Sequence, residues 1–242
     1  MLIDNPALYK KKFNFRTDTL IEAKESNLSE YDIHLLEASK DDILLSEKDG
    51  SFDSWVSNIY MLPEEDRIEN IMLFDTETAH LNGYIVSFAG ILYSLSKRKI
   101  LKEFYVMVNP GVNIDPETTE KAHGITDQDV ANKESFSSIS KKIKDAFDWA
   151  DLIVAHNPMY DINVLNLEYA RLGEKIEIPP FLDTMKRLKQ KVQAKNTLGR
   201  LKDPKLEEAA EFFGIDQDTS KLHNALYDTQ ILTKVFEKAL DS

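Results

Sequence analysis

The run Ile71-Met72-Leu73-Phe74 is apolar at consecutive positions and is followed at once by Asp75 and Glu77. A strand with one wet face alternates in polarity, so an unbroken apolar run belongs to a strand covered on both faces. Alternation along such a strand sends residues 75 and 77 to the same side. A second run, Leu152-Ile153-Val154-Ala155, has the same character. Tyr84 to Leu95 and Ile100 to Val108 read as further strands, with Lys97-Arg98-Lys99 as a turn and Asn109-Pro110-Gly111 closing the meander. Helices are predicted over Phe136–Trp149, from Pro158 to about Leu172, and over Thr184–Gln193, Leu206–Phe213 and Asn224–Leu240. Asn157 fits an N-cap, Pro158 the first helical position, and Gly173 and Gly214 the stops. Three leading strands followed by alternating helix and strand define an α/β fold with a mixed sheet.

The first 70 of the 242 residues differ from the rest. Residues 1–70 hold 8 Lys/Arg against 16 Asp/Glu, a net of −8, whereas residues 71–242 carry only −4 of the total −12. We read 1–70 as an acidic extension and 71–242 as the main domain, separated by the linker-like Pro63-Glu64-Glu65-Asp66. Within the extension, Ile43–Ser46 and Phe52–Ile59 form a candidate hairpin about Lys48-Asp49-Gly50. No apolar stretch of about 18 residues exists to span a membrane. Charges throughout Met1–Leu20 leave no signal-peptide core, and the absence of cysteine rules out disulfides and thiolate metal sites. A cytoplasmic location is the expectation. The acidic total argues against a nucleic-acid partner, but Lys186–Lys205 concentrates eight Lys/Arg against one acidic residue, Asp203.

Four carboxylates fall where chemistry is expected. Asp75 and Glu77 close the apolar strand, and open α/β sheets place their sites at such strand ends. Asp161 lies in the first turn of the helix after Asn157, where the helix dipole alone would favour it by about 0.3–1 kcal/mol. Asp228 shares the helix face of Ala225, Leu232, Val235 and Ala239. A carboxylate turned toward a core needs a partner, either a basic side chain or a shared divalent cation. His223 lies five residues earlier, roughly 140° around a helix, so it could reach the site of Asp228 only from the helix entrance. Oxygen ligands of this type suit Mg²⁺ or Mn²⁺. Carboxylates around two such ions match phosphodiester hydrolysis.

The order of these motifs resembles the DEDDh, or DnaQ-like, 3′→5′ exonucleases of the RNase H-like fold. The first motif stands here as Phe74-Asp75-Thr76-Glu77-Thr78, the second as Ala155-His156-Asn157-Pro158-Met159-Tyr160-Asp161, and the third as His223-Asn224-Ala225-Leu226-Tyr227-Asp228. Val108-Asn109-Pro110 through Lys121-Ala122-His123-Gly124-Ile125-Thr126 is similar to the family's loop after the third strand. The resemblance spans roughly Ile71 to Leu240 and implies an RNase H-like mixed sheet flanked by helices. It implies that Asp75, Glu77, Asp161 and Asp228 hold two cations, with Asp75 between them, and that His223 is the general base. It also places Thr78 and His123 near the 3′-terminal nucleotide.

Departures from the family pattern are Ala79-His80 after Thr78, Ser87 where the second strand often has Glu, and Tyr160 where Phe is usual. The implied activity is stepwise release of 5′-mononucleotides from single-stranded DNA or RNA 3′ ends. The alternatives are a proofreading or trimming subunit that docks a larger machine through residues 1–70, or a binding module without catalysis. The intact carboxylate set argues against the last.

Overall fold

The computed structural model describes residues 68–80, 83–117 and 120–241. The predicted hairpin at 43–59, the linker at 63–66 and nearly all of the acidic extension lie outside the described residues. Among those described, strands β1 (Asn70–His80), β2 (Gly83–Ser94) and β3 (Lys99–Met107) form an antiparallel meander. Strands β4 (Leu152–Ala155) and β5 (Phe181–Asp183) extend it in parallel, giving the sheet order β3-β2-β1-β4-β5.

Helices α1 (Glu120–His123) and α2 (Asp127–Val130) interrupt the long loop after β3. Helices α3 (Phe136–Trp149) and α4 (Pro158–Arg171) precede and follow β4. After β5 come α5 (Thr184–Arg187), α6 (Lys189–Val192) and α7 (Leu206–Phe212), then a 3₁₀ turn at Thr219–Lys221 and α8 (Ala225–Leu240). The predicted single helix over Thr184–Gln193 is divided at Leu188, whose side chain is fully buried beneath the sheet.

The apolar run forms the central strand, with both faces covered as expected. Ile71 and Leu73 join Leu152, Val154 and the α8 residues Leu232, Val235 and Phe236 in one core. Met72 and Phe74 join Ile153, the α3 residues Ile143 and Phe147, and Leu165 of α4 in the opposite core. The Phe74 ring stacks with Phe88 at 6.1 Å and meets Phe147 edge-on at 5.2 Å, anchoring the residue just before Asp75. Truncating a ring packed in this way typically costs about 3–5 kcal/mol. Gly90 of β2 lies under Phe104 of β3, where a Cβ would come within 2.4 Å of the ring, so this register demands glycine.

Two features aim the strands at a site. Pairing between β1 and β4 ends at Leu73–Val154, while β1 continues against β2 to His80. Asp75 and Glu77 are therefore not at the end of their strand, as expected, but just past the end of its parallel pairing. The β1–β2 register also shifts between Glu77 and Thr78, leaving Val86 as the extra residue of a bulge. Bulges recur beside active sites because they re-aim neighbouring side chains.

Candidate active site

Asp75 and Glu77 project from β1 on the side covered by α8, and Asp228 in the first turn of α8 meets them. Carboxylate oxygens of Asp75, Glu77 and Asp228 lie within 4.8 Å of one another. Asp161 arrives from the other face, through the gap beyond the end of β4. Its Oδ1 accepts the Thr76 hydroxyl at 2.6 Å and the Thr76 amide at 3.1 Å. Thr76 thus fixes Asp161 against the strand that carries the other two carboxylates.

Their electrostatics reflect crowding away from water. Burial, reinforced by Asp161, Glu77 and Asp228, pushes the Asp75 carboxyl well above the ordinary carboxylate range. Burial, then Asp228 and Asp161, raises Glu77 to about 9. Burial lifts Asp161 to about 7 against the hydrogen bonds from Thr76. It lifts Asp228 to about 6 against the amide bond from His223. Asp228 Oδ1 is buried with no hydrogen-bond partner among the described residues. A charged group left without a partner in this way is costly, and a cation among these oxygens would remove that cost and restore the ionised forms. The residues present therefore fit a divalent cation with oxygen ligands.

His223 precedes α8 in left-handed conformation, φ 62°. Its backbone N–H donates to Asp228 Oδ2 at 2.9 Å. Its side chain is exposed, and Asn224 caps the helix by accepting from Tyr227 N. The entrance position expected for His223 is the one observed. Its contact with the cluster is made by the main chain.

Thr78 and His123 are brought together beside the cluster. His123 Nδ1 accepts from Ile125 N at 3.0 Å, so its Nε2 carries the proton donated to the Thr78 carbonyl at 3.1 Å. The Thr78 hydroxyl is buried and shares a 2.7 Å hydrogen bond with Tyr160. The Tyr160 departure thus gives Thr78 a partner that phenylalanine could not.

Asn157 occupies the N-cap position expected of it, although its side chain does not cap the helix. It is left-handed, φ 74°. Asparagine tolerates that region, which lets β4 turn sharply into α4. The turn is secured by Asp183 of β5, whose Oδ1 accepts from the amides of Asn157, Met185 and Lys186. His156, just before the turn, donates Nε2–H to Pro204 O at 2.9 Å, leaving Nδ1 to accept from the Thr184 hydroxyl at 3.0 Å. Burial holds its imidazole down at about 4, so the ring is neutral.

Thr76 and Asp183 escaped the sequence reading. Asp183-Thr184 ahead of a helical pattern is an N-cap signal that could have found the second; nothing local distinguishes the first. Ser87 faces Glu77 across the β1–β2 pair, and its Oγ is buried beside Tyr105.

The exonuclease family (RNase_T) matches residues 72–236. The chain belongs to the exonuclease family. Its class is that of a metal-dependent 3′→5′ exonuclease. Among curated relatives, DNA polymerase III subunit epsilon of Pasteurella multocida strain Pm70 is 28% identical over 186 residues, covering 73% of this chain and 70% of its own. The epsilon subunit of Escherichia coli K12 is 27% identical over 172 residues, covering 68% and 69%. Among solved structures, Exonuclease X bound to 5′-overhanging duplex DNA aligns at TM-score 0.54 and 23% identity, covering 71% of this chain and 91% of that one. E. coli Exonuclease I with a dT13 oligonucleotide aligns at TM-score 0.62 and 17% identity, covering 72% of this chain but 41% of that one. These structures share the RNase H-like α/β fold expected from the motifs. No described helix is long and apolar enough to cross a membrane.

Proposed function

We propose that this enzyme removes 5′-mononucleotides one at a time from single-stranded DNA 3′ ends. Asp75, Glu77, Asp161 and Asp228 hold two Mg²⁺ or Mn²⁺ ions, and His223 is the proton acceptor. The observation that carries this reading is the convergence of Asp75, Glu77 and Asp228 within 4.8 Å just past the β1–β4 pairing, with Asp228 Oδ1 buried and unpartnered. Bound ions would supply positive charge for ionising water and for the oxygen that leaves. The chain's own residues do the rest. Thr76 and the His223 amide set the two carboxylates that come from helices. His123, Thr78 and Tyr160 form the wall beside Glu77 against which a terminal nucleotide would rest. His223, exposed at the entrance to α8, takes a proton from the attacking water.

DNA is the substrate favoured over RNA because the relatives are DNA polymerase subunits and the solved neighbours were captured with DNA. The cytoplasm suits such a substrate. A second reading, favoured by the same relatives, is a proofreading subunit whose residues 1–70 dock a polymerase. Co-elution with a replicative polymerase in gel filtration, lost when residues 1–67 are removed, would support it. The primary reading is tested by following end-labelled oligonucleotides with Mg²⁺, Mn²⁺ or EDTA. We expect stepwise shortening from the 3′ end with either cation and none in EDTA or with Asp75→Ala. Full activity in EDTA would defeat the assignment.

A further inference from the structure

Most of the positive charge between Lys186 and Lys205 is neutralised within its own neighbourhood. Lys186 and Lys189 both reach Asp203, Lys202 pairs with Glu208 at 2.6 Å and Lys205 with Glu207 at 3.1 Å. Arg187 is buried, and Lys191 lies 5.8 Å over the Phe213 ring. Lys195 and Arg200 are different. Both are exposed, and neither pairs with a carboxylate among the described residues.

They flank the tip of a built hairpin. Lys202 N donates to Ala194 O, Lys195 bridges Leu201, and Asn196 N donates to Arg200 O. The Asn196 side chain accepts from the amides of Leu198 and Arg200, each at 3.0 Å, and Gly199 closes the turn at φ 73°. At the apex of this ordered turn Leu198 is 74% exposed. Most of that side chain is left uncovered by the described residues, while hydrogen bonds fix the backbone of the turn that presents it.

The hairpin is tied to the turn that leads into α4, the helix of Asp161. Its C-terminal leg runs into Pro204, whose carbonyl binds His156 at that turn.

We infer that the hairpin Ala194–Lys202 guides the single strand of DNA away from the site, with Lys195 and Arg200 on its phosphates and Leu198 against a base upstream of the 3′ terminus. This rests on the exonuclease reading above. The fit is one of charge and surface. A polyanion approaching a chain of net charge −12 needs local unpaired cations, and a base presents an apolar face of the kind a projecting leucine covers.

The test compares the full chain with Lys195→Ala/Arg200→Ala and with Leu198→Ala, on a thymidine dinucleotide and a twelve-nucleotide oligothymidylate, across a salt series. We expect the parent to favour the longer substrate in kcat/KM. Either variant should lose most of that preference, by about tenfold in KM for the longer strand. The double variant should also flatten the salt dependence of binding by about 1.4, since each phosphate contact on a single strand contributes about 0.7 to the slope. Leu198→Ala should leave the slope in place. Fluorescence anisotropy with the labelled twelve-mer reads the same surface without turnover. An inactive parent would therefore defeat the exonuclease reading while the hairpin is still judged by affinity. Parental affinity, length preference and salt slope in both variants would overturn the inference and leave the hairpin to a protein partner or to none.

Discussion

The backbone N–H of His223 donates to Asp228 Oδ2 at 2.9 Å, so the residue proposed as proton acceptor also orients a carboxylate of the cluster. That bond depends on the left-handed conformation of His223, φ 62°. Histidine and asparagine are enriched in this region, whereas alanine is disfavoured there. The common alanine substitution would therefore disturb two things at once.

His223→Asn separates them. Asparagine keeps the backbone turn and the Asp228 contact but offers no imidazole. If the side chain accepts the proton, His223→Asn and His223→Ala should both lower kcat by about 10²–10⁴-fold. His223→Ala should in addition melt earlier, by up to about 1 kcal/mol. Single-turnover kinetics and thermal melts check this. Parental kcat in His223→Asn would assign the residue's contribution to its backbone alone.

The raised carboxyls make a second prediction, on stability without metal. Asp228, Asp161 and Glu77 titrate higher in the folded chain than their ordinary values, so ionisation opposes folding. Their favourable contribution is fully present below the ordinary values of 3.8 for Asp and 4.5 for Glu. It is lost as pH rises through about 6 for Asp228, about 7 for Asp161 and about 9 for Glu77. In EDTA, the Tm of Asp161→Asn relative to the parent should therefore climb between about pH 4 and about pH 7 and level off above. Mg²⁺ or Mn²⁺ should raise the parent's Tm more at the alkaline end, because the ligands must be ionised to bind. A pH-independent difference would mean that Asp161 is not crowded in the way described.

What the sequence made legible depended on range. Phe136–Trp149 and Leu152–Ala155 were readable to the residue because their burial patterns are local. Asp75 and Glu77 were readable because four apolar residues announce a covered strand. Strand β5 was not, since Phe181-Leu182-Asp183 is too short for any period and is a strand only by pairing with Ile153–Ala155. Asn157 is the N-cap that the sequence indicates, but its left-handed backbone and missing capping bond were not legible, because αL geometry and capping favour the same residue type. The Thr76–Asp161 bond joins positions 85 apart and leaves no local trace. The hairpin at Ala194–Lys202 is fastened by one asparagine side chain, which periodicity cannot register.

A third prediction concerns where the packed unit begins. The expected boundary at Ile71 omits Ile68, which is buried in the core, and Glu69. The Glu69 carboxylate accepts from the hydroxyls of Ser94 and Ser96, and its amide donates to Asp151. Hydrogen bonds to a charged group contribute about 1.5–3 kcal/mol each, and a buried isoleucine a similar amount. Residues 68–242 should fold alone and melt several degrees above residues 71–242. Calorimetry of the two truncated chains decides it, and equal Tm values would show that Ile68 and Glu69 add nothing.

The last prediction tests the positioning of Asp161. Of its two oxygens, Oδ1 is occupied by the hydroxyl and the amide of Thr76. That leaves Oδ2 for the centre of the cluster. Thr76→Val keeps the shape and the amide but removes the hydroxyl donor. A buried carboxylate deprived of a donor is destabilised by about 1–3 kcal/mol, and the Asp161 carboxyl should move further up, since the Thr76 hydroxyl now holds it down. An acid that ionises less readily binds cations less well. The Mn²⁺ concentration for half-maximal activity should therefore rise several-fold, more at pH 6 than at pH 8, while activity at saturating metal falls less. Thr76→Ser restores the donor at nearly the same place and should return the metal requirement to the parental level. A purely structural defect would lower activity without moving the metal requirement. A parental Mn²⁺ requirement in Thr76→Val, with the protein folded, would remove Thr76 from the set of positioning residues.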